Sequence, residues 1–311
     1  MQQLKVCFIG IGSIAKRHIK NLQMVCSKRG IELHMDAYRH SASKDNVVEG
    51  IETVYHDVAQ MPVYDIIFIT NPTELHLATL KKFHEKGKHF FIEKPVVSQN
   101  QIKAAKQFTF KSGAVYYVAC PLRYNAVIQY IKQNICIDDV ISVRSISSSY
   151  LPDWRPGQDY RETYSAHKNL GGGVSIDLIH EWDYLTYLFG WPEKVKCLIG
   201  KKSKLEIDSD DYAIYIAEFA NRIAELHLDY FGRKTLREIQ LFTKDDTIIG
   251  DIANNKVSFL LSGKIIEFHE KRDDYQKREL EHFFDMLTGV VPYEDGYEHG
   301  IKVLELTQGR L

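Results

Sequence analysis

The stretch LKVCFIGIGSIAKRHIKNLQ, residues 4–23, decides the fold class. Residues 4–9 are an apolar run of strand length that passes without a linker into Gly10, Gly12 and Ala15. Ile14, His18, Ile19 and Leu22 then recur at helical spacing. A strand, a G-x-G-x-x-A turn and a helix in that order make the first unit of a dinucleotide-binding fold. Gly10 supplies the tight turn, Gly12 admits a pyrophosphate close to the backbone, and Ala15 lets helix and strand pack closely. The helix opens at Ser13 and Ile14, and its free N–H groups and dipole favour phosphate oxygens.

Working outward, IELHMDAYR (31–39) reads as the second strand at the expected distance. An acid at its end grips the ribose 2′-hydroxyl of NAD and repels the 2′-phosphate of NADP. This chain has Tyr38, Arg39, His40 and Ser41 there. Arg39 can pair with a 2′-phosphate and Ser41 can add a hydrogen bond, which favours NADP over NAD; Arg39 stacked on adenine accepts either. DIIFIT (65–70) is a buried strand, TELHLATLKKFHEKG a helix ended by Gly87, and KHFFIE the next strand. A helix over about 99–112 leads to AVYYVA. Strands alternating with helices predict a doubly wound parallel sheet, a Rossmann domain, with its ligand at the carboxyl ends of the strands. Thr70, Asn71, Pro72, Glu93 and Lys94 therefore face the cofactor edge.

The charges of FFIEKPVVS (90–98) follow from this position, because a central strand leaves the sheet there. Oxidising an alcohol leaves negative charge on oxygen as hydride departs, and an ammonium aimed at that oxygen stabilises it. The peptide before Pro95 is a candidate cis bond.

A chain of 311 residues accommodates two domains. The first is placed at 1–121 and a second, for substrate binding and dimerisation, at 122–311. Near its start Arg123 is placed among the substrate-binding residues, followed by a helix around NAVIQYIKQ and the strand VISVRSISSSY. The polar and aromatic stretch 151–173 interleaves Trp154, Tyr160 and Tyr164 with Arg155, Arg161 and Lys168, and reads as a substrate wall. VSIDLIHEWDYLTYLFG is read as one helix with Asp177, His180 and Asp183 along one side. A histidine flanked by carboxylates can accept a hydroxyl proton near neutral pH. Residues 193–268 read as successive strands with short connections, giving an α+β domain with a large, mainly antiparallel open sheet. One face packs on helices and the other suggests a partner subunit, a homodimer or homotetramer.

Forty basic and 41 acidic residues, with no long single-sign block, give no signal for nucleic acid or an anionic membrane. Five scattered cysteines and the absence of zinc-type spacing predict reduced thiols and no metal. With no apolar run of membrane length and no cleavage pattern, a cytoplasmic location is expected.

GIGSIA, TNPTELH, EKP and GGGVSIDLIHEWDYL, in that order, resemble the glucose-fructose oxidoreductase, inositol dehydrogenase and rhizopine-catabolism family (Gfo/Idh/MocA) over essentially the whole chain. The resemblance implies an NAD(P)-dependent dehydrogenase acting on CH–OH groups, with Lys94 as catalytic lysine, Glu93 and Pro95 holding it, and His180 as general acid/base. It places His76 with the cofactor residues. The commonest family pattern sets the aspartate four residues before the histidine; here Asp177 stands three before, and Asp183 is the alternative orienting carboxylate. Residues 149–166 resemble members acting on nucleotide sugars in surface-glycan synthesis. A free polyol such as an inositol is the second substrate reading, and a non-catalytic nicotinamide sensor is the reading from another class.

Overall fold

The structure, a computed structural model, describes residues 2–40 and 48–310; Ser41 lies outside the described residues. By contact the chain forms two compact units, residues 1–119 with 272–301 and residues 120–271 with 302–311. The first contains a six-stranded sheet in the order β3-β2-β1-β4-β5-β6. Its elements are β1 (Gln2–Ile9), α1 (Ser13–Arg29), β2 (Ile31–Tyr38), β3 (Thr53–Tyr55), β4 (Tyr64–Ile69), α2 (His76–Phe83), β5 (Gly87–Ile92), α3 (Ile102–Ala105) and β6 (Tyr116–Val118). Every pairing is parallel, as the strand–helix alternation predicts.

Backbone bonding continues past the strand ends. Gly10 N–H donates to the Tyr38 carbonyl, Thr70 to Ile9, Glu93 to Ile69 and Ala119 to Ile92. The residues that end β1, β4 and β5 are thereby set side by side at one edge.

The helix expected over 99–112 is shorter. After Ala105 the bonding tightens to three-residue steps, Gln107 to Ala104 and Phe108 to Ala105. Phe108 then turns inward, its ring 5.7 Å from Tyr116 and 5.8 Å from Tyr297. Burial of that aromatic ends the helix early.

The second unit begins near α4 (Ala126–Asn134) and β7 (Val140–Tyr150) and continues through α5 (Val174–Asp177), α6 (His180–Phe189), β8 (Lys194–Gly200), β9 (Tyr212–Phe219), β10 (Arg222–Asp229), β11 (Phe231–Thr243), β12 (Thr247–Asp251), β13 (Lys256–Phe259) and β14 (Ile265–Glu267). Its eight strands run β14-β13-β12-β11-β7-β10-β9-β8. All neighbours are antiparallel except the parallel β7–β10 pair at the centre. One face is covered by helices. Trp182 of α6 meets Tyr215 at 5.3 Å, Tyr184 shares a 2.6 Å hydrogen bond with Ser145, and Gly250 of β12 leaves room for Val127 and Ile131 of α4. The opposite face leaves Ile141, Leu198, Ile216 and Ile223 exposed.

The chain ends in α7 (Arg272–Leu287) and α8 (Gly296–Leu306). The sequence reading assigns both to the second domain, whereas by contact α7 and the first part of α8 belong to the first unit. Aromatic packing accounts for the placement. Successive side chains of a strand point to opposite faces. Phe91 stacks on Phe68 at 4.7 Å, Phe68 on Phe8 at 4.7 Å, and Phe283 of α7 closes on Phe91 at 5.4 Å. On the other face Phe90 stacks on Tyr116 at 4.9 Å, and Phe110 meets both Tyr116 and Tyr297 of α8. The five cysteines are free thiols.

Phe91 joins β1, β4, α1 and α7 in one apolar stack. Replacing it with alanine is expected to cost about 3–5 kcal/mol, read as a lower urea midpoint at unchanged slope. A loss below about 1 kcal/mol would show that α7 does not depend on that stack.

Candidate active site

At the nucleotide edge the two glycines differ in kind. Gly10 has φ +91°, and a Cβ there would lie 2.8 Å from the Asn71 backbone. The protein itself forbids a side chain at that point. Gly12 has an ordinary φ of −89°, and a Cβ there would have nothing within 4 Å. No packing demand accounts for a glycine at 12, whereas close approach by a ligand does. Gly12 caps α1 without a side-chain hydrogen bond, and the first turn carries no acid. That turn keeps its donors and its positive dipole end for an anion. Ser13 is exposed, Ile14 half-buried, and Ala15 fully buried beneath them. These residues fit a dinucleotide pyrophosphate.

Thr70 ties the turn to its neighbour, its hydroxyl donating to the Gly10 carbonyl at 2.7 Å. The Asn71 amide donates to Thr79 at 2.7 Å, and Pro72 is exposed. Tyr38 is only 7% exposed; its ring packs on Phe83 at 4.9 Å and its hydroxyl accepts from Lys82 at 2.7 Å. It braces β2 against α2, leaving Arg39 as the predicted ribose-side residue. The Arg39 backbone is fixed at the strand end by bonds to Tyr55 and His56.

The lysine rests on a buried carboxylate. Glu93 Oε1 lies 2.5 Å from Nε2 of His18 on α1, and Oε2 accepts the Lys94 N–H at 3.2 Å. Burial pushes the Glu93 carboxyl upward, but the His18 hydrogen bond and the charges of His18, Lys94 and His76 outweigh it, and the net direction is down. Ionised Glu93 therefore stabilises the fold above the ordinary carboxylate range, and that contribution fades as pH falls through its lowered value. His18 Nδ1 is buried without a partner. The Lys94–Pro95 peptide is cis. His76, expected among the cofactor residues, turns both its ring nitrogens to protein carbonyls.

In the second unit the single helix expected over 174–190 breaks at Leu178 (φ −98°, ψ 29°), so Asp177 ends α5 and His180 begins α6. Asp177 is buried and accepts from Tyr230 at 2.6 Å. Asp183, the alternative carboxylate, takes a two-pronged pair from Arg123 at 2.7 and 3.0 Å. Arg123 is thus bound to an acid of its own unit. His180 is half-buried at the start of α6.

The glycine run 171–173 permits this arrangement. A Cβ on Gly172 would stand 2.0 Å from the Tyr164 carbonyl, and one on Gly173 (φ +134°) 2.2 Å from an Asp210 oxygen. Asp210 accepts from the Ser175 N–H at 2.8 Å. Burial pushes its carboxyl upward against that bond, and the Asp177 charge adds to the rise. The Asp177 charge, then burial, raises the Tyr164 hydroxyl, although 46% of that residue is exposed.

The predicted substrate wall divides. Trp154 donates to Ser149 at 2.8 Å and sets its ring edge-on to Tyr230 at 5.2 Å, and Arg155 lies over Tyr164 at 5.4 Å. Both therefore join the Asp177 cluster. Tyr160 accepts from Glu206 N–H, and Arg161 pairs with Asp159 and Glu206 at the surface. Tyr230 and Asp210 were missed by sequence reasoning, since neither carries a local motif. Among the described residues no cluster could hold a metal ion, and no helix is long and apolar enough to cross a membrane.

A parallel dinucleotide fold carrying a lysine at one strand end, in a chain whose other unit holds a large open sheet, is the architecture of a nicotinamide oxidoreductase class. Residues 4–120 match the profile described as "Oxidoreductase family, NAD-binding Rossmann fold", and 129–248 match the Gfo/Idh/MocA C-terminal domain. The chain belongs to the Gfo/Idh/MocA family. It is 26% identical over 193 residues to the uncharacterized oxidoreductase YrbE of Bacillus subtilis, covering 61% of this chain and 54% of that protein. It is 27% identical over 195 residues to scyllo-inositol 2-dehydrogenase (NAD(+)) of the same organism, covering 60% and 54%. The matched segments thus span about half the length of these curated relatives. Levoglucosan dehydrogenase, solved with NADH and levoglucosan, superposes with a TM-score of 0.84 at 17% identity, covering 99% of this chain and 96% of that one. UDP-N-acetylglucosamine 3-dehydrogenase GnnA of Acidithiobacillus ferrooxidans gives 0.77 at 19%, covering 100% and 97%. At these identities the likeness is one of fold.

The contrast between the glycines has a direct test. Gly12→Val should leave the melting temperature nearly unchanged while abolishing cofactor binding by fluorescence titration. Gly10→Ala should cost at least about 1–2 kcal/mol of stability. A Gly12→Val protein that binds cofactor normally would remove the pyrophosphate assignment.

Proposed function

We propose that this protein is an NAD(P)-dependent dehydrogenase acting on a secondary alcohol of a sugar or sugar-like substrate. The observation that carries this reading is the backbone alignment of Gly10, Thr70 and Glu93, which sets the nucleotide turn and Lys94 at one sheet edge. When bound, the nicotinamide supplies the hydride acceptor. Lys94 stabilises the negative charge that grows on the substrate oxygen, and His180 takes the hydroxyl proton. Asp177, held by Tyr230, is the fixed carboxylate of the second unit.

The finer parts of the proposal rest on single features. Arg39, at the end of a second strand without an acid, supports NADP. Arg155, over Tyr164 and beside the Asp177 cluster, supports an anionic group such as the diphosphate of a nucleotide sugar, whereas Arg161 is engaged by two acids. The exposed Ile141, Leu198, Ile216 and Ile223 support a second copy on the outer face of the large sheet.

Purified protein with oxidised cofactor and a panel of nucleotide sugars and free polyols should produce reduced-nicotinamide absorbance with one class. Lys94→Ala and His180→Asn should each lower turnover by on the order of 10²–10³ with cofactor still bound. Full activity in either variant would overturn the role given to that residue. Arg155→Ala should raise KM for a diphosphate sugar and leave KM for a polyol unchanged. Arg39→Asp should move the preference toward NAD by about tenfold or more, and equal use of both cofactors by wild type and variant would end the NADP reading.

A further inference from the structure

His76, the first residue of α2, is 1% exposed. Its Nδ1 lies 3.0 Å from the Pro95 carbonyl oxygen and 3.3 Å from that of Val96, and its Nε2 lies 2.9 Å from the Asn71 carbonyl oxygen. Backbone carbonyls only accept hydrogen bonds, and a neutral imidazole has one N–H to give. A neutral ring would satisfy one side and turn a bare lone pair on the oxygen at the other. Two ring protons satisfy both.

The two anchored segments have different duties. The Asn71 backbone abuts the Gly10 turn, where a Cβ would come within 2.8 Å. Pro95 directly follows the lysine. A donor that holds both carbonyls fixes the spacing between the nucleotide turn and Lys94.

The two carbonyls favour a second proton, and burial opposes it. Burial pulls the His76 pKa down, against the raising effects of the Asn71 carbonyl, the Glu93 charge and the Pro95 and Val96 carbonyls, and the net direction is down. Glu93 is the anion acting on this ring, and it is shared with His18 of α1 and with Lys94. A buried carboxylate with cationic partners on several sides is the counter-charge an imidazolium needs.

We propose that His76 is an imidazolium strap, donating one N–H to Asn71 and the other to Pro95 with Glu93 as its counter-charge, and that it is a positioning residue for Lys94. Its consequence for turnover rests on the dehydrogenase reading above; its protonation and its grip on the 93–97 backbone do not.

Long-range ¹⁵N–¹H spectra of the full chain with labelled histidines, at neutral pH, test the strap. The His76 signal is assigned by its disappearance in His76→Gln, or in His76→Asn should the first variant fail to fold. Both His76 nitrogens are expected to carry protons, and one bare nitrogen overturns the strap. Glu93→Gln, which removes the counter-charge, should convert the signal to a single-proton ring. Glutamine at 76 cannot span both carbonyls. Amide exchange over residues 93–97 should therefore rise in His76→Gln, and turnover should fall about tenfold to a hundredfold with cofactor affinity little changed. Unchanged exchange over 93–97 overturns the positioning role. Neither the spectra nor the exchange needs a substrate, so failure to find a dehydrogenase substrate leaves both decisive.

Discussion

The first unit depends on how it keeps one ionised carboxylate out of water at the end of a central strand. Desolvating a carboxylate costs several kcal/mol unless hydrogen bonds and opposite charge replace the lost hydration. Glu93 receives these from His18 on α1 and from the Lys94 N–H, with further positive charge from His76 and Lys94. Each contribution pins a different segment. The helix that begins at the nucleotide turn is the one that reaches the carboxylate, so the turn and the lysine are coupled through a single buried acid. Removing one partner leaves charge uncompensated in the interior, so the three-residue EKP segment constrains residues far from it in sequence.

The second unit solves a similar problem with hydroxyls. Asp177 is buried at the end of a one-turn helix, where Tyr230 donates to it across the sheet at 2.6 Å. Burial, then the neighbouring Asp177 charge, holds the Tyr230 hydroxyl well above its ordinary pKa, so the tyrosine stays a donor. Asp210 stands close enough for the Asp177 charge to raise it further. The break at Leu178 follows from this crowding. A continuous helix from 174 would carry Asp177 and His180 on one rigid frame, whereas the observed turn lets Asp177 reach Tyr230 while His180 opens the next helix.

What the sequence makes legible is what local chemistry determines. Gly10, Gly12 and Ala15 have jobs fixed by the turn they occupy, and strand–helix alternation fixes the parallel sheet. EKP could be placed because a strand end is visible in one dimension. The harder readings are those where tertiary partners that leave no local motif decide what a side chain touches. Arg123 looks like a substrate contact until Asp183 is seen to hold it with two hydrogen bonds. His76 looks like a cofactor residue until Asn71 and Pro95 claim its two nitrogens. The helix over 99–112 is plausible from its pattern alone and is ended by tertiary burial of Phe108.

The same reasoning distinguishes the arginines of the second unit by what already holds them. Arginine is a strong anion receptor only where the protein has not already supplied the anion. Nearby carboxylates occupy planar donors of Arg123 and Arg161. Arg155 lies over the Tyr164 ring, and the hydroxyl of that tyrosine reaches Asp177. Arg155 is therefore linked through one ring to the Asp177 carboxylate. Strand β11 contributes a second cation, Arg233, stacked 3.8 Å from the centre of the Tyr150 ring. Both arginines are held by aromatic faces, which leave guanidinium edges with hydrogen-bonding capacity that a carboxylate partner would have consumed. Which arginines rest on tyrosines and which on carboxylates is set by tertiary packing, and a count of arginines in the sequence does not reveal it.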